Sequence, residues 1–189
     1  MIDSTRKKLP FTLAFRLPEE ANRLISCYHR RLSGFCSEFD PPETAHLTVK
    51  YLGYESPKFP EAAAEGLIPI LAKICKPFLP LRVYIRGIDI FIADKERQET
   101  VVFLKILPNS DLKGLHNEIR SALGDTLEEF PHADGDNFVP HITISKHLQE
   151  CYNDKIKRLI QRSRKTAKRL FKLTDLVLFT PSAIYPVFP

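Results

Sequence analysis

The sequence has no long apolar run and no paired-cysteine pattern, and these two absences exclude several classes of protein. No apolar segment approaches the ~20 residues that a membrane-spanning helix needs. The charged N-terminus is not followed by the apolar stretch of a secretory signal, so we expect a cytoplasmic location. The four cysteines (Cys27, Cys36, Cys75 and Cys151) form no C-x-x-C pair and have no zinc-finger spacing. This predicts reduced thiols and no structural zinc site.

The charge of the chain is unevenly distributed. The 189 residues carry a net charge of +5 and have the size of one domain, or of two small lobes that share a core. Residues 154–172 contain nine Lys or Arg and one Asp, which is a local charge of +8. The remainder of the chain therefore sums to −3. Such a segment indicates either a polyanionic partner or a solvated helix face, and composition leaves both open.

Hydrophobic periodicity predicts strands that alternate with helices. One predicted helix begins at Pro18, and three others cover about Pro60–Ile74, Ser110–Leu123 and Asn153–Arg169. Predicted strands are Phe11–Leu17, His46–Leu52, Leu81–Ile92, Thr100–Leu107, Phe138–Lys146 and Phe171–Phe179. The order βαβαβ thus occurs twice, which indicates an α/β or α+β fold made of two lobes related by a pseudo-twofold axis, with a cleft between them.

The same short pattern occurs once in each half. Residues 46–49 read His-Leu-Thr-Val and residues 141–144 read His-Ile-Thr-Ile, so the two motifs start 95 residues apart. Side chains of a strand alternate between its faces, so His46 and Thr48 point one way, as do His141 and Thr143. At ordinary composition a given histidine starts such a pattern with a probability of about one in a hundred. The repeat therefore favours a function that uses both pairs.

Two imidazoles and two hydroxyls on facing strands suit displacement at phosphorus. One imidazole can activate the nucleophile and the other can protonate the leaving oxygen near neutral pH. The hydroxyls of Thr48 and Thr143 can stabilise charge on the non-bridging oxygens. We therefore expect no metal and no cofactor. A metal hydrolase is disfavoured, because Asp134 and Asp136 precede His141 while no matching carboxylates accompany His46.

The motifs and their flanks resemble the two-histidine (2H) phosphoesterase superfamily, and within it the 2′-5′ RNA ligase/RNA 2′,3′-cyclic phosphodiesterase family. The resemblance is carried by residues 13–18 (LAFRLP), 42–53 (PETAHLTVKYLG) and 140–146 (PHITISK), and the order of elements agrees over nearly the whole chain. It implies a single α+β domain over residues 1–189, in which two antiparallel-sheet lobes with outer helices surround a basic central cleft. It also implies hydrolysis of a 2′,3′-cyclic phosphate to a 2′-phosphate, and in some members a reversible 2′-5′ ligation of RNA ends.

Other residues are expected to contact the substrate. Many relatives carry Arg where this chain has Lys146, which keeps the charge but loses the two-pronged geometry of a guanidinium. Strand alternation predicts that Lys50 shares the face of His46. Tyr51 and Phe15 are candidates to stack on a base, although core packing is the stronger expectation for Phe15. Our working assignment is His141 as base and His46 as acid, and the reverse assignment stays open.

Alternative functions also stay open at this stage. A 2H-like module could hold RNA or a nucleotide without turnover, although retention of both His and both Thr argues against it. The substrate could be a tRNA half, another RNA end, a small cyclic nucleotide or ADP-ribose cyclic phosphate. We expect a monomer without an obligatory protein partner and without membrane association.

Overall fold

A computed structural model describes residues 9–57, 59–94, 99–148 and 154–188. Cys151 and residues 95–98 fall outside these ranges. The helices are α1 (Glu19–Leu32), α2 (Glu61–Gly66), α3 (Ile68–Cys75), α4 (Ser110–Leu123) and α5 (Asp154–Arg164). The strands are β1 (Phe11–Arg16), β2 (Cys36–Phe39), β3 (His46–Gly53), β4 (Leu81–Asp94), β5 (Glu99–Ile106), β6 (His141–Leu148), β7 (Arg169–Leu173), β8 (Leu176–Phe179) and β9 (Ile184–Pro186).

The strands form two antiparallel sheets. Sheet 1 has the order β3-β1-β8-β9, and sheet 2 has the order β2-β6-β5-β4-β7. Helices α1 and α5 pack against β6 and β4 of sheet 2, while α4 packs against β3 of sheet 1. Apolar side chains of both sheets and their helices, such as Phe15, Ile25 and Leu104, belong to one hydrophobic cluster. The layers therefore bury one face of each sheet, as expected for packed secondary structure.

The local sequence explains why individual elements begin and end where they do. In α4 the Asn109 side chain accepts a hydrogen bond from Leu112 N at 2.7 Å, and Gly124 follows the last residue with a positive φ of 35°. The helix predicted from Pro60 is divided at Leu67 into α2 and α3, because Pro69 lies in the first turn of the second helix.

Two units of the chain repeat the same arrangement. In the first, β1 and β3 pair antiparallel and α1 lies between them in sequence; in the second, β5 and β6 do the same with α4. Each motif therefore lies on the second strand of a β-α-β unit. The two motif strands, β3 of sheet 1 and β6 of sheet 2, contact each other, and this contact brings the motifs together.

The pattern of the sequence did not reveal every element. The short strand β2 was not predicted, and it joins the edge of sheet 2 although it precedes the first motif. The strand predicted at Phe171–Phe179 is instead two strands in different sheets, β7 and β8. The basic helix ends at Arg164 rather than Arg169. Over the described residues, no helix combines the length and apolarity that crossing a membrane requires.

Candidate active site

Both motif strands contain a β-bulge directly after the threonine. On β3, Thr48 pairs with Ala14 but Lys50 pairs with Leu13, so Val49 is an extra residue. On β6, Thr143 pairs with Phe103 but Ser145 pairs with Val102, so Ile144 is extra. A bulge shifts the alternation of side chains by one residue. Two consecutive residues are accordingly buried in each strand, Val49 with Lys50 and Ile144 with Ser145.

Because of the bulges, the next side chain on the same face as the histidine and threonine is that of the third residue after the threonine. The face of His46 and Thr48 is continued by Tyr51, five residues after the histidine, and the face of His141 and Thr143 is continued by Lys146. Without a bulge, a residue at this odd spacing would point into the core. The two strands therefore present His, Thr and a third polar residue in the same order.

Each motif histidine is oriented by the same backbone contact. Nδ1 of His46 lies 3.0 Å from the carbonyl oxygen of Thr44, and Nδ1 of His141 lies 2.8 Å from that of Val139. A carbonyl oxygen can only accept a hydrogen bond, so Nδ1 must carry the proton in both rings. Nε2 is then the nitrogen left for proton transfer, an accepting lone pair in the neutral ring and a donor in the charged ring.

Aromatic rings surround the two imidazoles unequally. His141 makes edge contacts with Phe91 and Phe103, at centroid distances of 5.1 and 5.5 Å, while His46 lies 4.9 Å from Phe179. Burial lowers the pKa of His141, the hydrogen bond to Val139 offsets this in part, and the nearby His46 lowers the pKa further. The influence of His46 is consistent with the contact between the two motif strands.

Tyr51 and Lys146 continue the two histidine faces on different strands. Burial raises the pKa of Tyr51, and the nearby Thr48 hydroxyl and the charge of Lys146 counteract this effect. The Tyr51 ring lies 5.4 Å from that of Phe130. Lys146 is half exposed and pairs with Asp40 at 3.2 Å. The Tyr51 phenol therefore lies within electrostatic range of both the Thr48 hydroxyl and the Lys146 ammonium.

Two expected substrate contacts are not found where the sequence pattern put them. The prediction that Lys50 shares the face of His46 is wrong, because the bulge at Val49 turns Lys50 inward, where it is 2% exposed. Phe15 is fully buried in the hydrophobic cluster, so the stronger expectation of core packing is confirmed and the stacking role is not. It therefore has no exposed ring surface on which a base could stack.

Lys50 instead belongs to a buried polar cluster that sequence reasoning missed. Its Nζ contacts both carboxylate oxygens of Asp134 at 2.7 and 2.8 Å, and Asp134 Oδ2 also accepts a hydrogen bond from Phe130 N. His116 donates from Nδ1 to the carbonyl of Val49, and its Nε2 lies 3.7 Å from Asp134 Oδ1. Burial lowers the pKa of His116, which favours the neutral ring. The cluster holds the 127–138 loop, and with it Phe130, against β3.

A cation lies directly across from each motif histidine on the neighbouring strand. Arg16 of β1 pairs with His46 in register, and Lys105 of β5 pairs with His141. Residues directly opposite each other in a sheet share a face, with Cβ atoms about 5 Å apart. Each cation contacts a carboxylate, Arg16 at 2.8 Å from Asp175 and Lys105 at 3.1 Å from Asp89. No pattern in the sequence identified these pairs.

Comparisons with known proteins agree with this fold. The protein TT0787 of Thermus thermophilus superposes with a TM-score of 0.60 at 19% identity, over 95% of this chain and 98% of that chain. LigT of E. coli, in crystals with 3′-AMP, superposes with a TM-score of 0.58 at 17% identity, over 95% of this chain and 94% of that chain. A structure described as a phosphoesterase gives 0.56 at 18% identity, over 95% and 94%. The predicted fold class, two antiparallel sheets with outer helices, is confirmed.

A search of curated protein sequences finds no match. A family model described as the 2′-5′ RNA ligase superfamily matches residues 18–182, a range that contains both motifs and all the site residues discussed above except Phe15 and Arg16. The family predicted from the two motifs is therefore confirmed, and it supports an enzyme that acts on phosphodiester bonds. This chain belongs to the 2′-5′ RNA ligase superfamily.

Proposed function

We propose that this protein is a metal-independent RNA 2′,3′-cyclic phosphodiesterase that opens a terminal cyclic phosphate to a 2′-phosphate. The observation that carries the proposal is the matched orientation of the two imidazoles. Both donate from Nδ1 to the carbonyl two residues earlier in the chain, which leaves both Nε2 atoms for proton transfer. A module that only bound its ligand would have no need of two such groups.

The reaction divides the proton transfers between the two histidines. His141 starts neutral, consistent with a pKa lowered by burial, and its Nε2 takes a proton from water. The water oxygen forms a bond to phosphorus while the bond from phosphorus to the 3′ oxygen breaks. His46 starts protonated and gives the proton on Nε2 to the departing 3′ oxygen. The products are a 2′-phosphate and a 3′-hydroxyl, and the two histidines return to their starting states by proton exchange with solvent.

The remaining polar groups on the same two faces suit the charge of the transition state. Thr48 and Thr143 are assigned to the non-bridging oxygens, as hydroxyl donors. We assign Tyr51 to orienting the Thr48 hydroxyl and Lys146 to supplying positive charge, since both Thr48 and Lys146 influence the pKa of Tyr51. The contact of Lys146 with Asp40 is half exposed, so a phosphate can compete for the lysine.

The same chemistry covers ligation. If the 5′-hydroxyl of another RNA takes the place of water, the same bond to the 3′ oxygen breaks and the product is a 2′-5′ linkage. Hydrolysis and ligation then differ only in the nucleophile. We include the 2′-5′ ligase activity in the proposal as the second reaction of one site.

The first prediction concerns the two histidines. A short RNA with a 2′,3′-cyclic phosphate end is incubated in EDTA with the wild type and with the His46→Ala and His141→Ala variants. We expect the wild type to form the 2′-phosphate, and each variant to lose about 100- to 10,000-fold in kcat, the usual contribution of a general acid or base.

His29→Gln is the control, since His29 lies on α1 and contacts Phe39 and the backbone of Ile144, to which the amide of Gln can still donate a hydrogen bond. It should keep activity within about threefold of the wild type, in line with a change away from the reacting groups. Activity that requires added metal would refute metal independence. Tight RNA binding without turnover by the folded wild type would favour the binding module.

A further inference from the structure

The face of sheet 2 that carries His141 extends well beyond the histidine pair. Along β4, Val83, Ile85 and Ile88 are buried, whereas Arg82, Tyr84 and Arg86 between them are exposed. The buried residues face the helices of sheet 2, so the exposed ones lie on the opposite face.

The register of the strands shows that this is the face of His141. Lys105 is the direct partner of His141, and its neighbour Ile106 pairs with Ile85, which places Lys105 beside Arg86. On the far side of β4, Tyr84 pairs with Leu170 and Arg82 pairs with Lys172 of the edge strand β7. One face therefore runs without interruption from β6 through β5 and β4 to β7. With neighbouring strands about 4.8 Å apart, it spans about 14 Å across the sheet.

We name the residues Arg82, Tyr84, Arg86, Lys105 and Lys172 the sheet 2 track. Four of them are cations, and Tyr84 is 39% exposed and lies under the ammonium of Lys168, whose Nζ is 4.6 Å from the ring centroid. Asp89, an acidic residue of the same face, is bound by Lys105 at 3.1 Å and by Arg164 at 2.7 Å. The balance of charge on this face is strongly positive.

The contact made by Arg164 shows which face of sheet 2 lies beside the basic segment, residues 154–172. Arg164 is the last residue of α5, which packs on the other face of sheet 2, yet its guanidinium contacts Asp89 on the face of His141. This is possible because β7 pairs only with Leu81–Ile85, so the side of β4 at Asp89 is not covered by β7. The end of the basic segment thus borders the face that carries the motif.

We propose that the sheet 2 track binds the RNA strand that leads to the reacting end, so that the substrate is an RNA chain and not an isolated cyclic nucleotide. The inference rests on the proposed function for the reacting end. Cations that follow a phosphate backbone, interleaved with an exposed aromatic ring, are the combination that binds single-stranded nucleic acid without reading its sequence. The track begins next to His141 and crosses β5, β4 and β7, so it is longer than the contact surface of a single nucleotide.

The test compares two double variants, each of which lacks two positive charges, on two substrates. One variant is Arg82→Gln/Lys172→Gln, which removes two cations from the far end of the track. The control is Lys155→Gln/Arg158→Gln, which removes two exposed cations from the same basic segment, on α5 and away from the track. The substrates are 2′,3′-cyclic AMP and a single-stranded 12-residue RNA with a cyclic phosphate end, and binding of the same RNA with an unreactive 3′ end is measured by fluorescence anisotropy.

We expect the track variant to lose about tenfold in kcat/KM on the RNA and less than about twofold on cyclic AMP, while the control loses neither. Two lost phosphate contacts should also reduce the slope of log affinity against log salt by about 1.4. Equal losses of kcat/KM on both substrates, or equal losses in both variants, would refute the proposal that the sheet 2 track binds RNA. If the wild type turns over neither substrate, the proposed function has failed. Fluorescence anisotropy then still tests the RNA-binding proposal, because equal RNA affinity of the wild type and the track variant would refute it.

Discussion

At the scale of single residues, the two motif histidines have the same hydrogen bond but different surroundings. Both are fixed through Nδ1 by a carbonyl two residues earlier, whereas Phe91 and Phe103 bury the ring of His141. Burial disfavours the charged imidazole and so lowers the pKa of His141. The lowered pKa keeps His141 neutral near neutral pH, which supports its assignment as the base.

A pH prediction follows from this difference. The base must be neutral, so kcat/KM should fall on the acid side with a pKa below the ordinary 6.5 of histidine. Phe91→Ala exposes the ring of His141, which should raise its pKa and move the acid limb upward, toward 6.5. The measurement is the pH profile of kcat/KM on the cyclic-phosphate RNA.

Phe179→Ala provides the matched control, because Phe179 contacts His46 instead. It should leave the acid limb where it is in the wild type. If Phe179→Ala moves the acid limb and Phe91→Ala does not, the roles of the two histidines are reversed.

At the scale of elements, bulges and kinks determine which side chains reach each face. Gly87 adopts a φ of 70° at an irregularity of β4, and Ser163 of α5 fills the space beside it, with Ser163 Oγ 3.0 Å from Ile88 N. A Cβ on residue 87 would lie 2.7 Å from the backbone of Ser163. The close approach of α5 to β4 therefore depends on glycine at this position, for both φ and space.

Gly87→Ala should accordingly destabilise the protein, by about 2 kcal/mol or more, since the left-handed backbone alone costs about 1–2 kcal/mol. Gly66→Ala is the control, because no atom lies within 4 Å of an added Cβ there and the residue is helical. It should change the free energy of unfolding by less than about 1 kcal/mol, and in the stabilising direction. Urea unfolding measures both variants; similar free energies for the two would show that the packing of α5 tolerates a Cβ.

At the scale of the whole molecule, contacts distant in sequence join the two halves of the chain. Strand β2 of the first half pairs with β6, and β8 near the C-terminus pairs with β1. Lys50 and Asp134 form a buried ion pair across 84 residues of sequence. This pair connects the first motif strand to the loop before the second motif, so it contributes to the shape of both sides of the site.

Removing one charge of this pair should be costly. Asp134→Asn leaves Lys50 buried without a counter-charge, and we expect a loss of about 3–5 kcal/mol in the free energy of unfolding. Asp136→Asn, two residues along, removes a carboxylate whose side chain is 99% exposed and should stay within about 0.5 kcal/mol of the wild type. Chemical denaturation gives both values. A loss for Asp134→Asn no larger than that of the control would mean that Lys50 is solvated or finds another partner.

Sequence by itself determined what depends on neighbouring residues. It predicted the strands that carry the motifs and α4 with both of its ends, because strand alternation and helix capping act over a few residues. The family followed from the resemblance of the two motifs and their flanks to known members. The placement of each His-Thr pair on one face of its strand also follows from a period of two. These features need no knowledge of which strands pair.

The tertiary structure alone decided what depends on pairing between distant segments. The bulges at Val49 and Ile144 turned Lys50 inward and brought Tyr51 and Lys146 to the histidine faces. A bulge is a mismatch in register between two strands, so it cannot be read from either strand alone. The Lys50–Asp134 pair and the sheet 2 track arise in the same way, from neighbours that only the folded chain brings into contact.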